Sequence, residues 1–219
     1  MLWIASKEST EVIAITILVD MDDVIENLSV TWIDYLNKKY GTDVDREIVR
    51  DWEMAAAFPE LTREQIYSPL CDPELWKTVP PKEGAAEYMG KLINDGHEIY
   101  IVTASDYRTI KTKTEEVLFK YFPFIDWNHV IITSNKQMIR GDVLIDDGIH
   151  NLIDGEYEKI LFDAPYNRNF NAEAHGIVRV SSWEEIYELI TSLSKRNTCV
   201  GVRTAVRNER NDIFGGKES

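Results

Sequence analysis

Two carboxylates, Asp20 and Asp22, stand directly after the most apolar run of the chain, Val12 to Val19. Charge beside such a run is costly to bury unless it is paired or put to use. Eight β-prone residues ending in Asp-Met-Asp-Asp read as a central strand of a parallel sheet, buried on both faces, with its acids at the carboxyl end. Ligands of open α/β sheets bind at that end. Residues two apart on an extended backbone face the same side, so the spacing predicts a pair of side chains able to hold one divalent cation. A strand running into an acidic turn is the plainer alternative.

Further polar groups end other apolar runs. Thr103 closes His97 to Thr103, Lys136 follows Thr133, and Asp146 and Asp147 follow Val143-Leu-Ile145. Singly, these are a strand-end hydroxyl, a solvated loop lysine and an Asp-Asp-Gly turn. Together they place two carboxylate pairs, a hydroxyl and an ammonium on one edge of one sheet. Those are the parts of metal-assisted phosphoryl transfer.

The elements that must carry these groups alternate. Residues 27 to 40 have helical spacing and stop at Gly41, which suits the left-handed position after a helix. From Thr42 to Lys77 the pattern breaks into short amphipathic pieces rich in Trp, Tyr, Glu and Pro, with no β-run; this predicts a small helical insertion, closed by Pro80-Pro81. A helical stripe (Ala85, Tyr88, Met89, Leu92, Ile93) precedes the strand at 97–103, and an amphipathic stretch at 109–122 precedes one at 129–133. Strands at 143–145, 159–162 and 177–180 complete a set of six, and the capping-box sequence Ser182-Trp-Glu-Glu185 opens a last helix through Leu193. Strands alternating with helices indicate an α/β doubly wound parallel sheet with right-handed crossovers. Residues 197–219, polar and basic, read as a flexible tail.

A chain of 219 residues holds one medium domain plus an insertion. Its formal charge of −14 argues against a nucleic-acid polymer or an anionic membrane as partner, since both are bound through clustered Lys and Arg. An anionic substrate therefore needs local help from a metal ion or a placed Lys. Cys71 and Cys199 match no metal or redox spacing and read as free thiols of a reducing compartment. His97, His129, His150 and His175 stand singly, without the spacing of a helical zinc site. No signal-peptide pattern opens the chain and no run reaches the length of a membrane span, so a cytoplasmic location is expected and the Asn27-Leu28-Ser29 sequon carries no meaning.

Ile17-Leu-Val-Asp20-Met-Asp22-Asp-Val24, Ile101-Val-Thr103, Lys136 and Leu144-Ile-Asp146-Asp147 stand in the order of four motifs. In this the chain resembles the haloacid dehalogenase (HAD) superfamily of phosphohydrolases over about residues 13 to 194. The resemblance implies a HAD-like Rossmannoid core at 1–28 and 78–196 with a small helical cap, 29–77, inserted after the first strand. Val19-Asp-Met-Asp22, Trp76 before Val79-Pro80, the stretch from Gly84 to Ala104, Asn135-Lys136 and Leu144-Ile-Asp-Asp147 are similar to the 5′(3′)-deoxyribonucleotidases, magnesium-dependent enzymes acting on deoxynucleoside monophosphates.

Carried onto these positions, the resemblance makes Asp20 the nucleophile and Asp22 the acid and base. It gives Mg²⁺ to an Asp20 oxygen, the Asp22 backbone carbonyl and Asp146, with Asp147 assisting. Thr103 and the amides of Ala104 and Ser105 hold phosphate oxygens, and Lys136 offsets charge. Specificity falls to the cap, where Trp52, Phe58, Tyr67 and Trp76 are candidates for stacking on a base, Trp52 and Trp76 foremost. Leu28 departs from an aromatic and Ser134 from an Arg in mammalian relatives, and Asp23 stands at a usual Gly. A homodimer is compatible with this reading. The alternatives are a phosphatase for another small ester such as a sugar phosphate, or a nucleotide sensor without turnover. A phosphorelay receiver domain is excluded by motif order, because such domains take phosphate on a middle strand.

Overall fold

The computed structural model describes residues 13–50 and 53–195, so Trp52 and the tail at 197–219 lie outside it. Strand β1 (Thr16–Val19) explains the architecture. Ile17 and Val19 enter one core with Ile99, Ile101, Val143 and Ile145, while Leu18 points into a second with Val102, Leu144 and Leu161. A strand with no polar face has to be covered on both sides, and the rest of the chain supplies that cover.

After β1 come α1 (Leu28–Tyr40), short 3₁₀ turns, α2 (Arg63–Tyr67) and α3 (Pro73–Trp76). Then α4 (Ala85–Asn94) leads to β2 (Glu98–Thr103), and α5 (Ile110–Lys113) runs through a π turn at Thr114–Leu118 into α6 (Phe119–Tyr121). Strand β3 (Val130–Ile132), β4 (Val143–Asp146), α7 (Ile149–Leu152), β5 (Glu158–Phe162) and β6 (Val178–Val180) follow, with a final helix α8 over residues 183–195. The six strands are those expected from the sequence. They form one parallel sheet in the order β3-β2-β1-β4-β5-β6. The chain builds outward from β1 on one side and returns to build on the other, which opens a crevice at the carboxyl ends around β1 and β4.

Register then places the acids. Val19 is level with Ile101 and Ile145, and the Asp20 N–H donates to the Ile145 carbonyl at 2.9 Å. Asp20 therefore lies beside Asp146 on the neighbouring strand. Asp22 arrives differently from the same-face expectation: β1 stops at Val19, and residues 21–25 form a turn in which the Ile25 N–H donates to the Met21 carbonyl at 3.1 Å. Met21, fully buried, anchors this turn in the core.

Asp23 sits in the turn at φ +55°, a left-handed conformation that explains why glycine suits this place. Its carboxylate accepts the Ser29 N–H at 3.0 Å and the Ser29 hydroxyl at 2.9 Å. It therefore caps α1 from outside the helix, where Asn27 makes no side-chain cap. At the far end Gly41, at φ +71°, returns its N–H to Asn37 as expected. The intervening pieces enclose a core of their own, with Trp32, Ile33, Leu36, Val49, Met54, Phe58 and Ile66. An antiparallel bridge between Glu26 and Pro81 pins the neck, aided by Asn27 N–H to Pro80 O at 3.0 Å and Lys82 N–H to Ile25 O at 2.8 Å.

Helix α8 departs slightly from the capping box. Ser182 Oγ accepts the Glu185 N–H at 3.2 Å, but the Glu185 carboxylate reaches one residue further back, to the Ser181 N–H at 2.7 Å. Trp183 fastens the helix by donating its indole N–H to the Val24 carbonyl at 2.8 Å. Among the described residues no helix is long and apolar enough to cross a membrane.

Candidate active site

Lys136 opens the 3₁₀ turn Lys136–Met138 beyond β3 and is 1% exposed. Its ammonium lies 2.7 Å from Asp20 Oδ1 and 2.6 Å from Asp146 Oδ2. Burial works to lower the Lys136 pKa, but the two carboxylates outweigh it and hold the group above the usual lysine range. Asp146, fully buried, is completed through Oδ1, which accepts Gly148 N–H at 2.8 Å and Asn151 Nδ2 at 3.0 Å. Burial pushes the Asp20 carboxyl up to about 7, with Lys136 pulling it down and Asp146 pushing it further up.

Asp22 has a partner that the sequence did not reveal. Lys113, on α5 and 1% exposed, brings its ammonium to 2.5 Å from Asp22 Oδ1. It also donates to Ser105 Oγ at 2.9 Å and Thr103 Oγ1 at 3.3 Å, and lies 5.2 Å over the Trp76 ring. Burial works to raise the Asp22 pKa, yet Lys113 prevails and the carboxyl is held below its usual value. Glu26, four residues on from Asp22, is fully buried beside the Asp22 carboxyl. Burial and the nearby Asp22 push it well above the carboxylate range.

A cavity of about 440 Å³ opens over these groups. Asp20, Asp22, Lys136, Ala104 and Asp147 line one part of it, and Ile149, His150, Ile153 and Tyr166 line another. The structure therefore brings together residues far apart in the chain. Thr103 lies under the wall, fully buried, with its hydroxyl 2.9 Å from Ser105 Oγ. Phe58, Tyr67 and Trp76 do not line this cavity. Trp76 is 3% exposed and donates its indole N–H to Leu70 O at 2.9 Å; Phe58 is in the core of the insertion; Tyr67 packs on Trp32 at 5.3 Å. The apolar wall of the cavity is instead Ile149 and Ile153, from the segment after β4.

The donor set can be tested against a metal ion. Asp20, Asp146 and Asp147 are buried and offer one oxygen each within 4.8 Å of one another. Hard oxygen donors in this number suit Mg²⁺ completed by water. Burial, together with Asp20 and Asp146, pushes the Asp147 carboxyl well above the ordinary range, the mark of like charges that a cation would relieve. The residues fit the ion. The Asp22 side chain stands apart from this trio, engaged with Lys113.

The family described as 5′ nucleotidase, deoxy (pyrimidine), cytosolic type C protein matches residues 13–197. A 5′(3′)-deoxyribonucleotidase of Bacillus subtilis (strain 168) is 36% identical over 171 residues, covering 78% of this chain and 95% of the relative. One of Clostridium acetobutylicum is 30% identical over 181 residues, covering 81% and 96%. Among solved structures, a haloacid dehalogenase-like hydrolase from Streptococcus pneumoniae aligns with a TM-score of 0.59 at 13% identity, over 80% of this chain and 98% of that one. A HAD hydrolase from Bacillus subtilis bound to magnesium aligns at 0.52 and 14%, over 81% and 98%. At such identities the structural likeness shows the fold alone, a HAD-like α/β sheet.

Proposed function

The chain belongs to the family of 5′ nucleotidases, deoxy (pyrimidine), cytosolic type C, and is a phosphoric monoester hydrolase; on that premise we propose that it dephosphorylates deoxynucleoside monophosphates through an aspartyl-phosphate, with Mg²⁺. One observation carries the reading: the Lys136 ammonium lies within hydrogen-bonding distance of both Asp20 and Asp146, and Asp20 and Lys136 line one cavity. The relatives named 5′(3′)-deoxyribonucleotidases support the substrate class. The family's description as cytosolic supports a cytoplasmic setting.

In the proposed reaction an Asp20 oxygen attacks phosphorus and the bond from phosphorus to the nucleoside oxygen breaks. Asp22 gives a proton to that leaving oxygen. A water then attacks the aspartyl-phosphate, Asp22 takes its proton, and inorganic phosphate leaves with Asp20 restored. Lys113 holds Asp22 as the carboxylate that accepts this proton, and an incoming phosphate dianion shifts it toward the acid form needed first. Lys136 keeps the nucleophile oriented and offsets negative charge beside it. Asp20, Asp146, Asp147 and the Asp22 backbone carbonyl would hold Mg²⁺, which when bound supplies charge stabilisation at the phosphoryl oxygens. The amides of Ala104 and Ser105 receive phosphate oxygens, and the nucleoside lies toward Ile149 and Ile153.

The test is phosphate release from a panel of deoxy- and ribonucleoside monophosphates and sugar phosphates, with Mg²⁺ and with a chelator. Hydrolysis should require the cation and be fastest for deoxynucleotides. Equal rates across the panel would remove the substrate assignment and leave only a phosphatase.

A further inference from the structure

The segment after β5 grips the loop after β4 through two adjacent residues. Asn167, 2% exposed, donates Nδ2 to the backbone carbonyls of Asp147 at 3.0 Å and Phe162 at 2.8 Å. Its Oδ1 accepts from Ala164 N–H at 3.2 Å and Arg179 Nη1 at 2.6 Å, so the side chain is fully engaged. Arg179 is itself fixed by Asp163 Oδ1 at 2.8 Å and the Phe170 carbonyl at 3.0 Å. The backbone of Asp147 is thereby held from below.

Tyr166 acts on the side chain. Its hydroxyl contacts Asp147 Oδ2 and lies 3.2 Å from Asp23 Oδ2. Asp23 in turn caps the first turn of α1 through Ser29. A phenol has one proton to donate; this hydroxyl is set between two buried carboxylates from different loops, Asp23 at 3% and Asp147 at 5% exposure. One of them belongs to the trio able to hold a metal ion. The phenol occupies Oδ2 of Asp147.

We propose that Tyr166 is a positioning residue: its hydroxyl fixes the Asp147 carboxylate for the divalent cation and ties it, through Asp23, to the start of α1 and the insertion. This rests on the reading of Asp20, Asp146 and Asp147 as a cation site. Outer partners of metal-ligating carboxylates set their orientation, and losing one typically costs about 10- to 100-fold in metal affinity. It also gives Asp23 a use in place of the glycine that its φ would favour. The presence of a carboxylate there links the entry of the insertion to the site.

The experiment is titration of the purified enzyme with Mg²⁺ by calorimetry, with the Mg²⁺-induced rise in melting temperature as a second reading. Wild type, Tyr166→Phe and Asp23→Gly are compared, the last because glycine accepts φ +55° without strain. Tyr166→Phe should bind Mg²⁺ about tenfold more weakly. It should also regain kcat when Mg²⁺ is raised, which a purely structural lesion would not do. Asp23→Gly should weaken binding in the same direction by less, and it carries the test if Tyr166→Phe does not fold. Wild-type affinity in the folded variants would overturn the role of Tyr166 and leave the cation site standing. No Mg²⁺ binding by wild type would overturn both.

Discussion

At the rim of the sheet Lys136 and Lys113 are each 1% exposed and each within 2.7 Å of a carboxylate, whereas in the insertion the Arg63–Glu53 pair leaves its side chains 71% and 44% exposed. What the insertion buries is Trp32, Met54 and Phe58. The two regions are stabilised by different physics. Removing one member of a buried ion pair leaves its partner charged and unsolvated, so the rim's parts depend on one another. The insertion's apolar core loses contacts in proportion to the atoms removed, and its exposed pair adds little. Changes at the rim should therefore appear in chemistry, and changes in the insertion core in stability.

The largest break of this contrast is at the nucleophile. Asp20→Asn should lower kcat by at least about 10³-fold while the protein stays folded by circular dichroism, because an amide cannot form the covalent intermediate. Turnover near the parental rate would mean the rim is merely structural. Lys113→Met, which keeps the length of the side chain but frees Asp22, should lower kcat by about 10²-fold in steady-state assays. An unchanged kcat would confine Lys113 to packing. In the insertion, Phe58→Ala should cost about 3 kcal/mol in urea unfolding, with kcat at low temperature altered by only a few-fold. A collapse of kcat without loss of stability would erase the distinction.

The smallest effect concerns His97, remote from both regions. Its Nδ1 accepts the Ile15 N–H at 3.2 Å, and burial lowers its pKa from 6.5, so the folded state favours the neutral ring. The unfolded chain takes up the proton first as pH falls. Stability from this group is thus complete above about pH 6.5 and is lost as pH drops toward the lower folded pKa. Melting curves of wild type and His97→Gln should diverge less at acid pH than at neutral pH.

The rim was legible in the sequence because its carriers are strands: Asp20, Thr103 and Asp146 each end a run whose apolar character announces a buried strand. Lys136 was found by motif order. Lys113 was missed since a lysine within an amphipathic helix normally faces water; the available signal was its position four residues from both Thr109 and Val117, all buried. Tyr166 and Asn167 meet Asp147 across 19 and 20 residues and carry no local pattern. Asp23 looked anomalous until its φ and its bond to Ser29 were seen, because capping from outside a helix leaves no mark in helical spacing. The roles of the cap aromatics are illegible for a related reason. Sequence shows that a ring is present and amphipathic context shows that it is covered, but only packing decides whether a neighbour or a ligand covers it, and Phe58 and Trp76 are covered by the protein.

The covalent step admits a direct measurement. Enzyme mixed with substrate and Mg²⁺, quenched rapidly, treated with borohydride and digested should show homoserine at position 20 in the peptide mass spectrum, since reduction converts an aspartyl-phosphate to that residue. The account requires this product at Asp20 alone and its absence from Asp20→Asn. Brisk turnover with no reduced residue at 20, or with reduction at Asp22, Asp146 or Asp147 instead, would contradict it.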